Sequence, residues 1–230
     1  MKKTLLILII CTIGVHTLVA QNKSTLRGAF LHTIDNKNVL WLFVDDYFSA
    51  INFENNRYIS TTGGPFTYDG KTIHVSVEYN DANPEQIGST IDMPVQVQNQ
   101  HLRSNNMQYN RQPAKAQDLD GLWRITGRKQ GNELSTITRG DRKTIKLLVD
   151  GYFQWIAINP AVKGFYGTGG GTYVFTDGKY TEHILYFSRD NSRVGADLSF
   201  EGKIEANQWH HSGLSSKGDP IFEIWSRDNQ

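Results

Sequence analysis

The chain has 230 residues, 38% of them apolar and 20% charged, with a formal net charge of +1 and a single cysteine. Near-neutrality removes any electrostatic case for nucleic acid or an anionic membrane surface as a partner. One cysteine rules out an internal disulfide framework, so core burial must hold the fold together.

Residues 1–20 read as an export leader. Lys2 and Lys3 form a basic start, Thr4 to Val19 supplies a mostly apolar run, and Ala20-Gln21 offers a cleavage point. Thr12, His16 and Thr17 shorten the strongly apolar part below the roughly 20 residues that a spanning helix needs. The expectation is a secreted or periplasmic protein with no membrane span after leader removal. Cleavage would take away Cys11 and leave a net charge of −1.

Beyond a short lead-in, a first unit is expected over residues 26–111. Val39-Leu40-Trp41-Leu42-Phe43-Val44 is a continuous apolar run, and Thr72 to Tyr79 alternates cleanly, so both read as strands. Tyr68-Asp69-Gly70-Lys71 reads as a tight hairpin turn. Residues 112–117 form a linker, and a second unit follows over 118–228. Its strands are expected near 121–129, 143–150, 152–159, 163–168, 171–176, 179–188, 196–206, 207–212 and 221–227. No stretch of the mature chain carries a helical apolar stripe. Many short strands joined in order by turns favour a meander, and closing it removes exposed edges. The expected fold is therefore all-β, two small antiparallel up-and-down barrels in tandem.

The two units are copies of one another. Val149-Asp150-Gly151-Tyr152-Phe153 answers Val44-Asp45-Asp46-Tyr47-Phe48, at an offset of 105. Gly170-Gly171 answers Gly63-Gly64, Asp177-Gly178-Lys179 answers Asp69-Gly70-Lys71, and Trp225-Ser226-Arg227 answers Tyr109-Asn110-Arg111. Ordered matches with small drifts in offset indicate an internal duplication.

Gly121-Leu122-Trp123 on the first strand of the second unit, with Arg227 on its last, resembles the calycin and lipocalin signature. Gly28-Ala29-Phe30 with Arg111 carries a weaker form in the first unit. The resemblance implies a barrel whose closed end is capped by an Arg over a Trp, a contact that cation–π attraction favours. With Gly167 to Gly171, Phe187-Ser188-Arg189-Asp190 and Trp209-His210-His211, the second unit also resembles secreted lipocalin-like domains of unknown function from Gram-negative bacteria.

Gly167-Thr168-Gly169-Gly170-Gly171 looks like a phosphate-cradling loop but is followed by another strand, Thr172-Tyr173-Val174-Phe175, where such a loop needs a helix N-terminus. A bulge or bend in the sheet is the better reading. Alternation puts Tyr180, Glu182, Ile184 and Tyr186 on one strand face and Thr181, His183, Leu185 and Phe187 on the other. Adjacent His210 and His211 diverge on a strand and cannot chelate one ion, so no metal site is expected, and no cofactor. His183 and His211 could converge if their strands are near. Arg189, at a barrel mouth, could grip an anion, or it could belong to a solvated turn.

Three functions remain open on these residues. The first is a small apolar or amphipathic ligand in the second barrel, contacted by Trp155, Tyr166, Tyr173, His183, Tyr186, Arg189, Trp209 and His211. The second is a cell-envelope interaction module with filled barrels. The third is an enzyme with His183 or His211 as base and Arg189 as anion clamp. No residue is assigned a catalytic role, because no nucleophile motif is present.

Overall fold

A computed structural model describes residues 26–131, 133–215 and 218–228. The expected leader lies outside them. About 67% of the described chain is strand and almost none is helix, in two antiparallel sheets that each curl into a barrel.

The first sheet comprises β1 (Gly28–Ile34), β2 (Lys37–Val44), β3 (Tyr47–Glu54), β4 (Arg57–Tyr68), β5 (Thr72–Ser76), β6 (Tyr79–Asn80), β7 (Thr90–Pro94), β8 (Gln96–Gln98), β9 (His101–Ser104) and β10 (Met107–Arg111). Neighbours pair in a meander and β10 returns to β1, so the barrel is closed except where β7 gives way to β8. The second sheet comprises β11 (Gly121–Gln130), β12 (Glu133–Thr136), β13 (Lys143–Val149), β14 (Tyr152–Asn159), β15 (Gly164–Thr176), β16 (Lys179–Phe187), β17 (Asp197–Glu205), β18 (Gln208–Leu214) and β19 (Pro220–Arg227). It closes fully through β11 and β19, with β12 as an appendage on β11. The turns carry the duplicated chemistry. Asp45-Asp46 and Asp150-Gly151 both take positive φ at their two central positions, as two-residue hairpins require.

One expectation is corrected here. The segments 163–168 and 171–176 are one strand, β15, and the glycine tract stays within the ladder. Its register against β16 shifts between Gly170 and Gly171, so the bulge is real but does not end the strand. Gly170 cannot carry a side chain, because a Cβ there would collide with the Tyr186 hydroxyl and the Phe153 carbonyl. Gly63 stands in the same relation to Tyr79 and Phe48.

Apolar side chains form three layers. One fills the first barrel around Trp41, Phe43 and Phe48, and another fills the second around Trp123, Phe153 and Trp209. The third lies between the barrels. This arrangement explains the unbroken apolar run of β2: Trp41 and Phe43 face inward, while Leu40, Leu42 and Val44 face the other barrel. From β13, Ile145, Leu147 and Val149 face back. Because β2 packs on β13, its own copy, the halves meet about an approximate two-fold axis. Buried on this interface, Gln154 donates to Thr61 Oγ1 at 3.1 Å and to its copy Thr168 Oγ1 at 3.0 Å. Carboxylates cross in both directions: Asp45 accepts the Leu122 N–H at 2.8 Å, and Asp150 pairs with Arg27 at 3.3 Å.

The closed end has the expected cap. The Arg227 guanidinium lies 3.9 Å from the Trp123 ring centroid, and Arg111 lies 5.7 Å from that of Phe30. Arg227 also donates to the Asp120 and Asp118 carbonyls, and Trp123 Nε1 donates to Leu119 at 2.7 Å. Gly121 has φ of +144° and a Cβ there would land on the guanidinium, so the glycine of the motif is required by the cap. Arg227→Ala is expected to lower stability by about 1–3 kcal/mol through lost packing and cation–π contact. Chemical denaturation checks this, and an unchanged midpoint would show that the cap is ornamental.

Candidate functional site

The two interiors differ in kind. Register places Lys146 of β13 where the first barrel has Trp41, and Glu182 of β16 where it has Val75. In the first interior Ile73, Leu102 and Tyr109 lie beside those two, and no charged side chain among the described residues of that half is buried. In the second, Lys146 and Glu182 form an ion pair at 3.1 Å with side chains only 6% exposed. The ammonium lies 5.0 Å from the rings of Tyr180 and Trp209 and 5.2 Å from that of Trp225. Beside it, His211 Nδ1 meets Glu223 Oε2 at 3.2 Å, and Trp225 Nε1 donates to the same oxygen at 3.0 Å.

A barrel of this kind does not need these charges to form, because the first copy forms without them. Removing a carboxylate or ammonium from water costs several kcal/mol, and attraction within a pair often no more than offsets it. Polar groups also remain unpartnered at the centre. Trp209 Nε1 and His211 Nε2 are buried without a hydrogen bond, beside the Tyr180 hydroxyl, which faces Glu182. A buried charged cluster with spare hydrogen-bonding capacity marks a site rather than a packing solution.

Burial and the nearby Lys146 lower the His211 pKa against the opposing pull of Glu223, so the imidazole is neutral. Burial raises the Glu223 carboxyl, but His211, Lys146 and Trp225 together hold it below its ordinary value. With Nδ1–H directed at Glu223, His211 Nε2 is a free acceptor. Protonation of His211 is more favourable in the unfolded chain, so its contribution to stability is intact above pH 6.5 and declines as pH falls from there toward the depressed folded value. Glu223 adds loss in the same direction, below its ordinary 4.5. The melting temperature should therefore drop as pH falls below about 6.5, and His211→Asn should flatten that profile. A profile of equal slope in the variant would remove His211 as its source.

Above the cluster, at the end opposite the Trp123 cap, lies the mouth of the barrel. The half-buried side chains of Trp155, Phe187, Leu198 and Ile221 pack on the core from this side. Trp155 and Phe187 meet edge to face at 5.5 Å. Arg189 stands at the rim, 6.0 Å from the Trp155 ring, and donates to the Tyr166 carbonyl through Nε at 2.8 Å. Glu223, with a quarter of its side chain exposed, is the acid of the cluster nearest solvent.

The residues singled out from sequence fall into four places. Trp209 and His211 lie together in the second interior, 5.0 Å apart by ring centroid. Trp155, Tyr166 and Arg189 gather at the mouth, with Arg142 4.5 Å from the Tyr166 ring. Tyr173 is at the closed end, donating to Asp120. Tyr186 lies between the barrels, its hydroxyl on the Phe153 carbonyl at 3.2 Å. His183 is on the outer wall, paired with Asp197 at 2.8 Å, so it does not converge with His211. Alternation already placed them on separate strands, but only the barrel's curl determines which face is inside.

No family model and no curated protein matches the chain. The site therefore rests on its own geometry. Among the described residues no three His, Cys, Asp or Glu side chains gather into a metal cage. No helix among them is long and apolar enough to cross a membrane. Lys146, Glu182 and Glu223 carry the site but were not singled out from sequence. The available signal was the alignment of the copies, which sets a lysine against Trp41 within an otherwise apolar strand.

Proposed function

We propose that this is an exported, non-enzymatic binding protein of lipocalin-like type that takes a small amphipathic ligand at the mouth of its second barrel. The observation that carries this reading is the contrast between the copies: one interior buries no charged side chain, and the other holds Lys146, Glu182, His211 and Glu223 beneath an aromatic rim. An apolar body would lie against Trp155, Phe187, Leu198 and Ile221, with a polar group toward Glu223 and His211. Small-molecule sites commonly combine apolar walls with a few fixed polar groups. The basic start and apolar run of residues 1–20 support export. Solvent extraction of the purified protein, with mass spectrometry of the extract, tests the reading, followed by titration of tryptophan fluorescence with whatever is released. Leu198→Arg should abolish that binding. Release of nothing, together with a flat titration against fatty acids and alkylamines, would reject it.

A second reading is favoured by one observation. Trp123, Trp209, Trp225, Tyr180 and Phe153 are fully buried inside the second barrel, so its depth is occupied by its own side chains. Under this reading the protein is a rigid envelope interaction module that binds through its outer surfaces.

A further inference from the structure

A second concavity lies away from the mouth of the second barrel. It is a groove of about 1010 Å³ on the first, formed where the wall is incomplete. β7 ends at Pro94, which has no N–H to extend a ladder, and β8 begins two residues later, paired on its opposite side with β9. In the second barrel the same course is the single unbroken strand β17. Among the described residues, this break in the wall thus belongs to the first copy.

We infer that this groove binds an acidic oligosaccharide. Two cations line it, Lys71 and Arg103, and no Asp or Glu does. Arg103 is held in place: its Nε and one terminal nitrogen donate to Gln108 Oε1 at 3.0 and 2.9 Å. The Gln108 amide is anchored in turn on Asn110 at 3.3 Å. The remaining guanidinium N–H groups are left for a ligand, in the planar array that suits a carboxylate or sulfate. Gln96, Gln98, Asn105 and Asn106 also line the groove, and among the described residues their side-chain amides have no hydrogen-bond partner. Each offers donors and an acceptor together, which matches the paired hydroxyls of a sugar.

The copy provides a control. Register sets Gln96 and Gln98 against Lys203 and Glu205, which neutralise each other at 3.0 Å. A charge-compensated pair there has no reason to attract an anion. An acidic peptide fits the groove less well, because peptide affinity comes from apolar anchors in desolvated pockets. Here Pro94, Val97 and Met107 offer exposed apolar surface with no deep pocket for an anchor, Val97 at 40% and Met107 at 36% exposure. Such shallow patches suit the C–H faces of sugar rings.

The test uses the full chain and calorimetric titration with a short oligogalacturonide and a heparin-derived oligosaccharide. The controls are the methyl-esterified form of the first and an oligo-aspartate peptide. At least one acidic sugar should bind, weakening as salt rises, and esterification should weaken it by about tenfold or more, the loss of one charge-assisted contact. Arg103→Ala and Lys71→Ala should each cause a similar loss without moving the melting temperature. Equal affinity for acid and ester, binding of the peptide alone, silence from both acidic sugars, or unaffected binding in both variants would each overturn the inference. Binding here is separable from the second barrel, because Leu198→Arg should leave it unchanged.

Discussion

Glu182→Ala should lower the stability of the protein by about 3–5 kcal/mol, among the largest losses available to a single substitution outside the glycine contacts. Lys146 would remain inside the second barrel with its countercharge gone, its side chain still about nineteen-twentieths buried. Three aromatic rings around the ammonium soften the loss but do not replace a carboxylate at 3.1 Å. The informative comparison is the double variant Lys146→Met/Glu182→Leu. It gives the second interior the apolar character that the first already has, and should recover most or all of the stability. Denaturant midpoints of the three proteins check this. If the pair exists for ligand binding, the double variant should be well folded yet lose the ligand. A double variant as unstable as the single would mean that the ion pair is structural.

Leu147→Ala should cost about 2–5 kcal/mol, and both barrels should register it. Leu147 is fully buried, but its neighbours belong to both halves, with Leu40, Leu42 and Val44 facing it from β2. A cavity there weakens the layer that the barrels share. Hydrogen exchange resolved by strand should show faster opening in β2 and β3 as well as in β13 and β14, and unfolding should remain a single transition. Loss of protection confined to the second barrel would show that the shared layer does not couple the halves.

Most of the fold was legible because each strand of a meander announces itself locally. The Asp-Gly turns fix hairpin positions and alternation fixes strands. The Gly-x-Trp with its distant Arg gave the cap, since both residues have few other uses together. What sequence could not resolve was any choice of side. His183 and His211 are each on a definite strand face, but whether that face is inside depends on the direction of curl. Tyr186 alternates with Ile184 and Glu182, yet the register shift opposite Gly170 and Gly171 carries it into the layer between the barrels. Packing of one copy on the other was also hidden, although the unbroken apolar run of β2 recorded it: a strand greasy on both faces must be covered on both. The groove on the first barrel depends on Pro94 interrupting a strand, which looks ordinary until its unbroken counterpart is beside it.

The crossing of Asp45 and Asp150 between halves makes the molecule, in effect, a symmetric pair written in one chain. In a true symmetric pair every substitution occurs twice, so a buried charge would be installed in both interiors or in neither, and its destabilisation would double. A single chain is free of that constraint. It can keep one half apolar as ballast, confine the strained interior to the other, and open a seam in only one wall. The buried polar atoms that lack partners in the second half, Trp209 Nε1 and His211 Nε2 among them, are tolerable because the first barrel stays conventional. Asymmetry between the halves is thus where specialisation should be sought, residue by residue, whatever ligand each surface is eventually found to hold.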